Sequence, residues 1–438
     1  MDWVSRKISA EDAAAKVKSG QRVFLTGNCS TPQVFLQALC DRCDELRDVE
    51  VVQLLDLGPS GYITPEIAEH IRINSLFISP NVRKAVNEGL ADFTPVFLSE
   101  IPLLFRTGRM PLDVAVIHVS PPDEHGFCSY GVEVGVTKTA AEHAGIVIAE
   151  VNPNMPRTLG DSFIHKNQID YWIEVDYELP EVMPPPPSEV QDRIAQHIAD
   201  LIPNGATLQM GIGGIPDAVL RRLTNHRDLG IHTELFSDGV MEMIEAGIIT
   251  NARKTLLPGK VVAGFVIGTR KLYRYIHDNP IFELRPTEFV NDPFIVARND
   301  RMVSINSALE VDITGQVCAD SIGPRFYSGV GGQLDFVRGA ARSKDGMTFI
   351  ALPSTAKGGT LSRIVPSLKP GAGVTTTRND VRFVVTEFGV ADLWGRSIKE
   401  RVYALVNIAH PDFREELLRY AHEQCYIPAS YAVGINLK

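Results

Sequence analysis

One local pattern occurs twice in this chain. Ser19-Gly20 leads into the apolar run Val23-Phe24-Leu25, then into Gly27-Asn28-Cys29-Ser30-Thr31-Pro32 and a segment carrying Leu36 and Leu39. Asn204-Gly205 leads into Thr207-Leu208-Gln209-Met210, then into Gly211-Ile212-Gly213-Gly214-Ile215-Pro216 and a segment carrying Leu220 and Leu223. Turn glycine and proline are five apart in both copies, and proline and second leucine seven apart. A short strand, a glycine turn and an amphipathic helix form one βα unit, so its recurrence points to a duplicated open α/β domain. Short β-branched runs at 49–55, 112–119, 145–151, 260–267, 347–352 and 382–385 supply further strands. Such runs fit a mostly parallel sheet covered on both faces. The expected fold class is therefore α/β, with two similar open domains and the active site in the cleft between them.

The division between the copies is also legible. Four consecutive prolines, 184–187, cannot continue a helix or a central strand and favour a stiff extended connector. Ser188 and Gln191 then form a capping box for a helix whose period runs through Val190, Ile194, Ile198 and Leu201. The expected domains are residues 1–183 and 188–438, joined by the 184–187 linker.

Composition narrows the function. The 438 residues hold 43 Lys+Arg against 53 Asp+Glu, a net charge of −10. That excludes a broad basic face for a nucleic acid. No run approaches the roughly 18 apolar residues of a membrane span, and the charged start Met1-Asp2-Trp3-Val4-Ser5-Arg6-Lys7 has no apolar leader. With six scattered cysteines, a cytoplasmic setting with reduced thiols is expected. Cys40-x-x-Cys43 has no second pair and no nearby histidine, so no metal is expected there.

Four segments can carry chemistry. Glycines after a strand let a ligand approach the backbone, and the helix that follows favours an anion, so Gly211 to Pro216 reads as a ligand loop or a tight turn. In Ile231-His232-Thr233-Glu234-Leu235-Phe236 the glutamate sits at a strand end, where partial desolvation raises a carboxylate's pKa and nucleophilicity. Glu234 is thus a nucleophile able to form an anhydride, or a structural salt bridge or cap. Ser328-Gly329-Val330-Gly331-Gly332-Gln333 exposes successive N–H groups, suited to an oxyanion or simply to a glycine-rich turn. Lys357 before Gly358-Gly359 suits a phosphate or carbonyl contact, or a surface turn. Ser120-Pro121-Pro122-Asp123-Glu124-His125-Gly126 reads as a proline-led turn in preference to an acid/base pair. No G-x-S-x-G elbow and no H-E-x-x-H are present.

Together these segments resemble the class I CoA-transferases of the acetyl-CoA hydrolase/transferase family, with the look of 4-hydroxybutyrate CoA-transferases. The resemblance rests on the glycine loop 211–216, His232-Thr233-Glu234, Gly331-Gly332-Gln333-Leu334-Asp335-Phe336 and Lys357-Gly358-Gly359. Val384-Val385-Thr386-Glu387-Phe388-Gly389-Val390-Ala391-Asp392-Leu393, the 120–127 segment and Val151-Asn152-Pro153-Asn154-Met155-Pro156-Arg157 complete it. It implies Glu234 as nucleophile in a ping-pong cycle through an acyl-glutamyl anhydride and a glutamyl-CoA thioester. It further implies the Gly332 N–H at the oxyanion, and Gly211, Ile212, Gly213, Gly214, Ile215, Asn306, Gly331 and Lys357 around coenzyme A. Coenzyme A is substrate here, and no prosthetic group or metal is implied. The first domain would hold the acyl or carboxylate pocket, around Cys29 to Thr31 and Ser60 to Tyr62. The other partners implied are a short-chain carboxylate and further copies of the chain in a homo-oligomer. Gln53 is the rough counterpart of Glu234 in the first copy, leaving one active glutamate per chain. Glu387, the other glutamate of these motifs, reads as a helix start or packing feature. A short-chain acyl-CoA thioester hydrolase shares these residues, and a non-catalytic metabolite sensor is the remote alternative.

Overall fold

The computed structural model describes residues 2–58, 62–183, 185–211 and 213–428. Ile212, Pro184 and the Ser60 part of the expected acyl loop lie outside them.

The first half builds one sheet from β1 (Arg22–Leu25), β2 (Val49–Leu54), β3 (Ile71–Phe77), β4 (Asp92–Phe93), β5 (Leu112–Val119), β6 (Ala144–Val151) and β7 (Tyr171–Glu174). Its order is β4-β3-β2-β1-β5-β6-β7 and every pairing is parallel. The second half uses β8 (Thr207–Met210), β9 (Gly230–Phe236), β10 (Val261–Val266), β11 (Phe282–Leu284), β12 (Met302–Ser307), β13 (Met347–Ala351), β14 (Phe383–Thr386) and β15 (Gly389–Asp392). Their order, β11-β10-β9-β8-β12-β13-β14-β15, repeats the first sheet strand for strand and adds one antiparallel edge. Two similar, mostly parallel α/β units are therefore present, as the repeat predicts. The central strands are buried on both faces, all six residues of β10 included, which is what parallel pairing under helices demands.

The repeated βα unit occupies the same place in both copies. β1 and β8 each lie where the strand order reverses, between β2 and β5 and between β9 and β12. The glycine loops follow them, and the helices Gln33–Asp41 and Gly214–Arg222 come next. Loops at such a reversal diverge to opposite faces of the sheet and leave a crevice at the strands' carboxyl ends. Helix Glu189–Ala199 is capped reciprocally by Ser188 and Gln191, as expected.

The halves are joined by backbone pairing as well as by packing. The first-half segment 132–135 pairs with β10: Val266 N–H donates to Val132 O at 2.9 Å, and Gly135 N–H to Gly264 O at 3.0 Å. Gly160 bridges Leu284 on the edge strand β11. One apolar core, including Phe24, Val52 and Tyr130 of the first half and Met210, Leu235 and Phe265 of the second, runs across this seam. Among the described residues no helix is long and apolar enough to cross a membrane.

Candidate active site

The duplicated register sets one residue against another at the two strand ends. Val23 of β1 pairs with Val51 of β2, and Thr207 of β8 with Gly230 of β9. Four residues further along each pair, Gly27 faces Leu55 and Gly211 faces Glu234. The counterpart of Glu234 is thus Leu55, and Gln53 takes the place of His232. Both Leu55 and Glu234 line a cavity of about 230 Å³ between the halves.

The first half gives this cavity an apolar wall of Leu54, Leu55, Phe77 and Leu98, continued by Phe265 from β10. The second half gives it polar groups: Gln209, Gly211, Glu234, Asn306, Gly331 and Gly332. Asn306 and Gln209 are locked amide to amide, Asn306 Nδ2 donating to Gln209 Oε1 at 3.2 Å and Gln209 Nε2 to Asn306 Oδ1 at 3.3 Å.

Glu234 is held from two directions. Asn291 Nδ2 donates to its Oε2 at 3.0 Å, and the Gly332 backbone lies close against the same carboxylate, its N–H favouring the charged form. Burial pushes the Glu234 carboxyl up to about 7; the Asn291 amide opposes this, the Asp335 charge reinforces it, and the Gly332 N–H opposes it. The group therefore titrates near neutrality, poised between a reactive anion and a quiet acid.

Each donor is positioned in turn. His232 Nε2 donates to Val290 O at 2.8 Å, pinning the short helix Thr287–Val290 that presents Asn291. Burial drives the His232 pKa down to about 3, so the imidazole is neutral with its proton on the nitrogen that donates. Gly331 is clamped by the first half, since Leu98 N–H donates to Gly331 O at 3.0 Å. Asp335 accepts the Ser99 N–H at 3.1 Å and the Ser99 hydroxyl at 2.8 Å. A Cβ on Gly332 would fall 2.1 Å from Glu234 Oε2 and 2.2 Å from Asn291 Nδ2. Only glycine lets this N–H come so close to the carboxylate.

Not every expected residue reaches the cavity. Gly211, Asn306, Gly331 and Gly332 do, but Gly213, Gly214 and Ile215 do not line it. Gly213 (φ 127°) makes the turn into the helix. A Cβ on Gly214 would meet the Gln191 side chain at 2.3 Å, so this glycine serves helix packing. Ile215 is core. Lys357 is exposed on the hairpin joining Thr355–Ala356 to Leu361–Ser362. Cys29, Ser30 and Thr31 are buried behind the apolar wall and do not form it. Glu387 occupies the two-residue turn between β14 and β15, not a helix start, and accepts the Ser354 N–H at 2.8 Å and hydroxyl at 2.7 Å. Asp123 accepts the N–H groups of His125 and Phe127, both at 2.9 Å, which makes its segment the expected turn. Asn291 went unread in the sequence, because nothing local links it to a strand end 57 residues away.

Two family models match this chain: the acetyl-CoA hydrolase/transferase N-terminal domain over residues 1–184 and the C-terminal domain of the same family over 268–421. A 4-hydroxybutyrate coenzyme A transferase of Clostridium kluyveri is 50% identical, covering 95% of this chain and 98% of that protein. A succinyl-CoA:acetate/propanoyl-CoA:succinate CoA transferase of Fasciola hepatica is 46% identical, covering 98% and 89%. The crystal structure of a 4-hydroxybutyrate CoA-transferase from Porphyromonas gingivalis superimposes with a TM-score of 0.84 at 43% identity, covering 96% and 98%. The chain belongs to the acetyl-CoA hydrolase/transferase family and is a CoA-transferase.

Two outcomes follow from the site. Gly332→Ala puts a methyl group where Glu234 Oε2 and Asn291 Nδ2 stand and so pushes its own N–H and the Asn291 amide away from the carboxylate; displacing one aimed donor costs about 3 kcal/mol. Turnover should fall by about 10²–10³-fold while circular dichroism stays unchanged. The second concerns stability. Because the folded protein raises the Glu234 pKa from 4.5 to about 7, this group's contribution is favourable at acid pH and is lost as pH rises through about 7. Glu234→Gln should therefore stabilise the fold by about 1–3 kcal/mol in denaturant titrations at about pH 8, with the gain vanishing near pH 4.

Proposed function

We propose that this CoA-transferase moves coenzyme A between a short-chain acyl-CoA and a free carboxylate, with Glu234 as the covalent carrier. The observation that carries the reading is the Glu234 carboxylate at the cavity wall, with the Gly332 N–H and the Asn291 amide converging on it. The cycle needs no proton transfer and no metal. A Glu234 oxygen attacks the thioester carbonyl, the C–S bond breaks, and an acyl-glutamyl anhydride and CoA thiolate result. The thiolate attacks Glu234 Cδ, the anhydride C–O bond breaks, and the first carboxylate leaves while coenzyme A is held as a thioester. An incoming carboxylate attacks the same carbon and expels the thiolate, which then takes the new acyl group and restores Glu234. Anhydride and thioester are both activated acyl derivatives, so no nucleotide has to be spent.

In this reading the Gly332 N–H receives the oxyanion at each tetrahedral stage. Gly211, Asn306 and Gly331 serve coenzyme A at the cavity, and Lys357 serves it from the exposed hairpin. The apolar wall of Leu54, Leu55, Phe77 and Leu98 suits a short aliphatic chain and keeps water from the intermediates. A thiolate held beside the glutamyl carbon has a high effective concentration, which favours transfer over hydrolysis.

The test is direct. With butyryl-CoA, acetyl-CoA should form only when acetate is added, and Glu234→Gln should lower that rate by several orders of magnitude. Since the reacting form of Glu234 is the anion, kcat/KM should fall as pH drops through about 7. Release of free coenzyme A regardless of acetate would make the protein a hydrolase instead.

A further inference from the structure

Among the described residues, the first half lines the cavity with apolar side chains alone. Its polar groups act one step back, beside the two donors to Glu234. One continuous helical segment carries two of them, the single turn Leu98–Glu100 running straight into the helix Ile101–Arg106. Ser99 and Arg106 stand seven residues apart on it, about two turns, and therefore on one face.

At the first end lies the Gly332 donor. Leu98 N–H donates to Gly331 O at 3.0 Å. The Gly331 carbonyl and the Gly332 N–H belong to one planar peptide unit, so fixing the carbonyl fixes the direction of the N–H. Ser99 holds the residues that follow. Its N–H and hydroxyl donate to the two Asp335 carboxylate oxygens at 3.1 and 2.8 Å, and Asp335 lies in the first turn of the helix Gln333–Arg342 that Gly332 opens.

At the other end lies the Asn291 donor. Arg106 Nη2 pairs with Glu288 Oε1, and Thr139 Oγ1 donates to Glu288 Oε2 at 3.1 Å. Glu288 is part of the one-turn helix Thr287–Val290 that leads directly to Asn291. A helix this short has no stability of its own, so its orientation comes from what holds it. His232 holds its last carbonyl and the first half holds its start. Stability is a poor account of the Arg106 pair, because its side chains are 48% and 32% exposed and ion pairs so open to water add little. Orientation is a better one, since a shift of about 1 Å at a reacting group can cost about 10²-fold in rate.

We propose that Ser99 and Arg106 are positioning residues for the transfer reaction, aiming the Gly332 N–H and the Asn291 amide at Glu234 from opposite ends of one first-half brace. The proposal rests on the reading of Glu234 as carrier and adds two residues that lie outside the cavity.

The experiment measures kcat and KM for acetyl-CoA formation from butyryl-CoA and acetate in Ser99→Ala and Arg106→Ala, each alone and combined with loss of its own donor. Each single variant should keep the circular dichroism of the unaltered protein, lower kcat by about 10- to 10²-fold and leave KM for butyryl-CoA within about twofold. Ser99→Ala should cost less than about twofold more in Gly332→Ala, and Arg106→Ala less than about twofold more in Asn291→Ala, because each acts through that donor. An unchanged kcat, a loss confined to KM, or a loss that stays undiminished when the matching donor is already gone overturns the proposal for that residue. Full transfer by Glu234→Gln would instead remove the carrier reading, and this proposal with it.

Discussion

The structure depends on keeping one carboxylate out of water without neutralising it. A carboxylate in bulk solvent is a poor nucleophile because its charge is spent on hydration. Glu234 loses that hydration and receives in exchange two fixed donors, the Asn291 amide and the Gly332 N–H. Neither donor is a full positive charge, so the carboxyl stays raised at about 7 and does not collapse into an inert ion pair. Aimed dipoles are what a reaction that creates and destroys oxyanions needs, since they stabilise the transition state with little reorganisation.

Much of the fold serves to aim those dipoles. The neutral His232 anchors the helix before Asn291, and the first half grips the other donor through Leu98 at Gly331 and Ser99 at Asp335. The duplication makes the two halves unequal partners in one site. At matching places the second copy supplies Glu234 and the first supplies Leu55, so one half brings charge and the other a dry wall. Backbone pairing between segment 132–135 and β10 holds that wall against the carboxylate.

The two copies, the capped helix and most of the strands were legible because each rests on local periodicity or turn chemistry. The strands at 112–119 and 347–352 were read to within a residue for that reason. Glu234 was visible as a strand-end carboxylate, but only its company with the 331–336 glycines and the other motifs gave it a family setting. Asn291 escaped because its partner is distant in sequence and its own neighbourhood, Pro286 to Asp292, reads as an ordinary short helix. Gly213 and Gly214 show the opposite failure: a glycine-rich loop looks like a ligand cradle, yet these two serve a backbone turn and a helix contact. Lys357 and Glu387 sit in recognisable motifs whose spatial relation to Glu234 no local pattern encodes.

The central claim is that Glu234 itself carries coenzyme A. The most direct measurement is to incubate the protein with an acyl-CoA in the absence of any acceptor, digest it at mildly acidic pH and locate the modified peptide by mass spectrometry. The account predicts coenzyme A, less the elements of water, attached to the peptide containing Glu234 and discharged when acetate is added. Full turnover with no such adduct, or an adduct on another residue such as Glu387, would contradict it.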